Sequence, residues 1–157
     1  MRKIAGVMLA VAVMLGAGIG VAVRGAESAG GEPVFHNPIV KQRADSQVYL
    51  HTDGYYYFTG TVPEYDRLEL RRAKTLDGLG EPAAGDIKTV WKKHDTGPMG
   101  SHIWAPEIHF IDGKWFMYFA AGDAKNVWNI KIYAIENDSA NPPEGEWTEK
   151  GQVKTNW

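Results

Sequence analysis

At 157 residues, length alone bounds the chain to a single domain, and a composition that is 44% hydrophobic and 11% aromatic excludes a disordered one. A net charge of −2, with the basic residues scattered rather than clustered, argues against a nucleic-acid surface. The count of zero cysteines excludes disulfides and a lipid-modified N-terminal cysteine, so the fold must stand on its core.

The chain opens on Met1-Arg2-Lys3, continues without charge over residues 4–23, and meets Arg24-Gly25-Ala26-Glu27. A short positive region before an apolar run is the pattern of a secretory signal, read here as residues 1–26 and followed by a flexible Ser/Gly/Glu-rich spacer at 27–33. The run is also long enough to span a bilayer, so membrane contact is expected only if the segment is retained. Small residues at Gly20-Val21-Ala22 favour cleavage, which places residues 34–157 in a secreted or periplasmic setting. Losing Arg2, Lys3 and Arg24 from 17 basic residues leaves 14 against 19 acidic ones. An exported, acidic domain with six tryptophans and seven tyrosines suits a neutral polar ligand, and sugars fit that description.

Strands are expected from residue 34 onward. Residues 47–51 lead through Thr52-Asp53-Gly54 into the aromatic run 55–59, a hairpin by its Asp-Gly turn. Residues 68–73 alternate apolar and charged, as a half-exposed strand does, and a short strand at 89–92 follows a Gly/Pro/Ala-rich loop. The same order then recurs. Residues 107–111 follow the proline of Trp104-Ala105-Pro106-Glu107 and turn on Asp112-Gly113 into 114–121. A third strand is expected over 127–135, a Pro-rich loop over 136–145, and a last strand over 145–153. Gly54 and Gly113 lie 59 positions apart, and each unit reads as strand, Asp-Gly turn, strand, strand, loop, strand with a tryptophan. No stretch of residues 34–157 has convincing helical periodicity.

Two copies of a four-stranded antiparallel unit indicate an all-β propeller, with blade one at about 45–93 and blade two at about 104–153. A β-sandwich of similar hairpins is the alternative. Two blades do not close a ring, and an open pair leaves an apolar face and strand edges in water. The chain is therefore expected to be the first part of a longer protein.

In a propeller the first strand of each blade lines the axis, so carboxylates at the starts of those strands converge. Asp45 and Glu107 hold that position in the two units. Glycoside hydrolysis needs one carboxylate to accept a proton from water and a second, protonated one to donate to the leaving oxygen. On this reading Asp45 is the candidate base, Glu107 a hydroxyl-binding group, and Trp104 a face for a sugar ring. The bland readings are a turn residue for Asp45, an arginine-paired buried acid for Glu107 and a core residue for Trp104. Asp53 and Asp112 read as turn residues; Glu64, Asp66 and Glu69 read as solvated charges. The five histidines show no metal-ligand spacing, so no metal and no cofactor is expected. Asn137-Asp138-Ser139 fits a glycosylation sequon.

The stretches 36-HNPIVKQRADSQVYLHTDGYYYFTGTVPEYDRLELRRAKTL-76 and 102-HIWAPEIHFIDGKWFMYFAAG-122 resemble the family 43 glycoside hydrolases, and among them the exported α-L-arabinofuranosidases. The resemblance covers nearly all of residues 34–157. It implies a five-bladed β-propeller, of which this chain carries about two blades, and single-displacement hydrolysis with inversion. It also implies that Asp45 is the base and that Glu107, with Trp104 and His102 beside it, shapes the sugar pocket. The family's third-blade Asp and proton-donating fourth-blade Glu have no counterpart here, so these blades alone are expected to be inactive. The family pattern has proline after the base, whereas this chain has Ser46, which should loosen the backbone at Asp45. The implied substrate is an arabinose-containing oligo- or polysaccharide. A β-xylosidase of the same family, a non-catalytic carbohydrate-binding module and a structural envelope protein are the competing readings.

Overall fold

The computed structural model describes residues 36–154, so the signal and spacer expected at 1–33 lie outside the described residues. Eight strands form two four-stranded antiparallel sheets, each laid down in chain order. The first holds β1 (Ala44–Leu50), β2 (Tyr56–Thr61), β3 (Arg67–Ala73) and β4 (Ile87–Lys92). The second holds β5 (Ser101–Ile111), β6 (Lys114–Gly122), β7 (Lys131–Asn137) and β8 (Thr148–Gln152). Such meanders, repeated and stacked, are blades of a β-propeller.

The hairpin turns follow from local chemistry. Ile111 pairs with Lys114, and the two residues between them, Asp112 and Gly113, both have positive φ (50° and 82°). That is the turn whose twist matches two antiparallel strands, and Asp-Gly tolerates it. At the first hairpin Asp53 accepts hydrogen bonds from the Tyr55 amide (2.8 Å) and the Tyr57 hydroxyl (2.7 Å). Both aspartates are turn residues, as the sequence suggests.

Alternation along β6 sends Trp115, Met117, Phe119 and Ala121 to one buried face, in register with Tyr133 and Ile135 of β7. This face packs on Tyr57, Leu68 and Leu70 of the first sheet, with the Tyr57 and Trp115 rings 4.7 Å apart. Each such side chain, fully buried, contributes about 1.5–3 kcal/mol, so the shared core holds the blades together. The opposite face of the second sheet carries half-buried Phe116, Tyr118 and Ala120, and Ile132 at 48% exposure. Among the described residues nothing covers it.

Several expected boundaries move. β5 begins at Ser101 and runs through Pro106, so Glu107 stands inside a strand rather than at its mouth. Bulges between Ser101 and Trp104 and between Trp104 and Glu107 absorb the irregularity. Proline is tolerated because β5 is the edge of its sheet and needs no amide on its free side. β7 starts at Lys131 rather than 127, because Asp123 draws the Lys125 and Asn126 amides into a turn. Trp147 precedes β8 instead of lying within it, its indole N–H held by the Pro142 carbonyl at 3.0 Å. Two short 3-10 turns, Asp77–Leu79 and Ala84–Asp86, fill the loop before β4. The sequon asparagine, Asn137, is 2% exposed and spends its amide on the Pro142 carbonyl and the Ser139 N–H.

Candidate active site

Asp45 lies within β1, one residue past its start, with a left-handed φ of 48°. The strand bulges between Ala44 and Gln47, so Asp45 and Ser46 have no partner in the β2 register. The bulge lifts the Asp45 side chain into an exposed position. Gly60 makes it possible: a Cβ there would sit 3.1 Å from Ser46 Oγ and 3.2 Å from the Ala44 carbonyl. The loosening expected from the missing proline is countered upstream, where the Arg43 guanidinium donates to the Glu69 carboxylate at 2.7 Å and to the Gln42 carbonyl at 2.9 Å.

Glu69 is not the solvated charge that its sequence context suggests. It is a buried acid with a side chain 11% exposed, gripped by Arg43 and by Arg71 Nε at 3.0 Å. Burial alone would push its carboxyl up, but the two guanidiniums hold it below the usual carboxylate range. The alternation of β3 predicted an outward residue; the segment leading into β1 instead folds back over that face and supplies the arginine. Glu64 does remain exposed and Asp66 is half-buried, both paired with Arg67, at 3.1 and 2.9 Å.

Asp45 connects to the second blade through Thr61. Thr61 Oγ1 donates to Asp45 Oδ2 at 3.0 Å and accepts from the Ala105 amide at 2.8 Å. Gln47 makes a parallel link, its side-chain oxygen accepting from the Ile108 amide. These two side chains satisfy amides on the edge of β5 that no strand pairs.

Beside this junction stands an aromatic cluster. His102 and Trp104 are 4.5 Å apart between ring centroids, Trp128 lies 4.9 Å from His102, and Tyr65 lies 5.6 Å from Trp104, edge-on. The His102 ring is oriented by a 3.0 Å contact between Nδ1 and the Val127 carbonyl. Trp104 is half-buried rather than a core residue, and Trp128 is 72% exposed. Tyr65 and Trp128 are absent from the sequence-based site. Each sits in a turn with no motif of its own, and only the fold brings them to Trp104.

Glu107 stands apart from this cluster. It is exposed and faces His109, with 3.3 Å between Oε2 and Nε2, beside a cleft of about 260 Å³ lined by Tyr118, Phe119, Ala120 and Ile132. It is therefore not a buried, arginine-paired acid. The structure joins His102, Trp104 and, through Thr61, Asp45, while Glu107 looks onto the uncovered face of its own blade.

Two stacked four-stranded meanders, with a carboxylate raised on a first-strand bulge and a cluster of aromatic rings at the junction between them, define part of a β-propeller. The profile of glycosyl hydrolases family 43 matches residues 35–157, and the chain belongs to that family. An extracellular exo-α-(1→5)-L-arabinofuranosidase of Streptomyces avermitilis is 60% identical over 121 residues, 77% of this chain and 24% of the relative. One of the same description from Streptomyces chartreusis is 51% identical over 142 residues, 90% of this chain and 42% of the relative. The crystal structure of an α-L-arabinofuranosidase from Lactobacillus brevis superposes with a TM-score of 0.69 at 48% identity, covering 78% of this chain and 40% of that one. The chain thus spans less than half the length of these relatives, and its fold is that of two blades of a five-bladed propeller.

Proposed function

We propose that residues 34–157 form the first two blades of an exported α-L-arabinofuranosidase that hydrolyses arabinose-containing polysaccharide with inversion. The observation that carries this is Asp45, an exposed carboxylate on the bulged first strand of its blade, in a chain 60% identical over 121 residues to an enzyme named for that activity. The Asp45 carboxylate takes a proton from a water as its oxygen bonds to the anomeric carbon. The bond from that carbon to the leaving oxygen breaks on the opposite face. A protonated acid outside these two blades supplies the leaving oxygen's proton. For inversion the two carboxyl groups stand roughly 6.5–9.5 Å apart, which leaves room for the water. Trp104 and His102 present ring faces to the sugar, and Glu107, on the face where a further blade would pack, contributes to the pocket at the border between blades and takes no part in proton transfer. Residues 1–26 direct export and are removed.

In the complete enzyme, Asp45→Asn should lower kcat by about 10³-fold or more with an unchanged melting curve. Near-parental turnover in a folded variant would remove Asp45 from the reaction. The two blades alone should release no arabinose from arabino-oligosaccharide, because the second carboxylate is not theirs.

A further inference from the structure

Two residues in the left-handed region meet at one side chain. Asp45 (φ 48°) belongs to blade one and Ala105 (φ 46°) to blade two, and Thr61 Oγ1 bonds to both. A hydroxyl has one hydrogen to give and lone pairs to receive. Having given its hydrogen to Asp45 Oδ2 and accepted that of Ala105, Thr61 is satisfied at both ends. It is also 4% exposed, so solvent does not compete for either bond. Among the described residues no other hydrogen bond reaches the Asp45 carboxylate.

We infer that Thr61 is a positioning residue for the base, fixing Oδ2 so that Oδ1 alone faces the reacting water. The inference rests on the reading of Asp45 as base. Its physical content is aim. A carboxylate on an unpaired bulge, without the proline that would stiffen it, rotates about its χ angles unless one oxygen is held. A buried hydroxyl tied to the neighbouring blade holds it from a fixed point. Because the second bond of Thr61 ends on the Trp104-Ala105-Pro106-Glu107 strand, the same atom sets the base against the aromatic cluster. The sugar platform and the proton acceptor thereby share one reference.

The test compares Thr61→Val, Thr61→Ser and Asp45→Asn in the complete enzyme, with an aryl α-L-arabinofuranoside as substrate. Thr61→Val keeps the shape and removes the hydroxyl. It should lower kcat on the order of 10–100-fold with KM within about twofold, since misaim costs the transition state and not sugar binding. Thr61→Ser, which restores the hydroxyl, should recover most of that loss. Parental kcat in Thr61→Val beside an inactive Asp45→Asn overturns the positioning role alone, as does a Thr61→Ser variant as slow as Thr61→Val. Full activity in Asp45→Asn overturns the underlying reading instead. Should Thr61→Val not fold, the crystal structure of the complete parent enzyme decides: Thr61 Oγ1 beyond hydrogen-bond reach of Asp45 sinks the inference.

Discussion

Gly60 shows how much of a site can depend on an atom that is missing. The bulge that raises Asp45 passes directly over it, and a Cβ would press on the Ala44 carbonyl at 3.2 Å and on Ser46 Oγ at 3.1 Å. The serine can rotate away, but the carbonyl is backbone and moves only with the bulge. Gly60→Ala should therefore destabilise the protein by about 1–3 kcal/mol, the usual cost of overpacking. It should also lower kcat in the complete enzyme more than its stability loss explains, because the displaced group carries Asp45. Denaturant unfolding together with steady-state kinetics checks both. A variant with parental unfolding and parental kcat would mean that the bulge is not held from below. Nothing in the sequence marks Gly60, since a glycine inside Phe58-Thr59-Gly60-Thr61 reads as one weak position in a strand.

At the scale of elements, what could be read from sequence was local and what could not was carried across blades. Asp-Gly turns and aromatic alternation are written within a few residues, so the hairpins and the two-fold repeat of the unit were legible. The bulges of β1 and β5 were not, because they answer to neighbours 16 or more residues away: Thr61, Gln47 and the Arg43–Glu69 pair. The outer strands are joined by another long-range contact. On β8, Glu149 accepts from the Trp91 indole of β4 at 2.7 Å and meets His94 Nε2 at 2.8 Å. Partial burial works against its charge, yet these two partners hold its carboxyl below the usual range. A carboxyl lowered in the folded state contributes stability above its unfolded pKa and loses it as pH falls through the folded value. Glu149→Ala should thus cost about 0.5–1 kcal/mol at neutral pH, discounted for the exposure of the pair, and progressively less as pH falls below the ordinary carboxylate range and through the lowered folded value, where the parent also loses the charge. Thermal melts of parent and variant across pH read this directly. A difference that stays constant into acid would show that packing of the side chain, and not its charge, joins the strands.

For the molecule as a whole, the uncovered face of the second sheet is the feature that most needs an explanation. Phe116 and Tyr118 stack there at 6.2 Å, with His109 beside Tyr118 and Ile132 48% exposed. A sheet face left open with aromatic and aliphatic side chains on it marks a place where something docks, and in a propeller the next blade docks there. One substitution at this face should have effects that change sign with context. In the isolated two-blade chain, Ile132→Lys puts a charge on a half-exposed position, so it should reduce hydrophobic-dye binding and self-association without lowering the melting temperature. In the complete enzyme the same lysine would be driven under a third blade, and burying it unpaired should cost about 1–3 kcal/mol or more. Sedimentation and dye fluorescence on the short chain, and a thermal melt on the long one, measure the two arms. If the complete enzyme accepts the lysine without loss, no blade covers this face, and the reading of these sheets as two neighbouring blades of a closed ring with a third packed beside them fails.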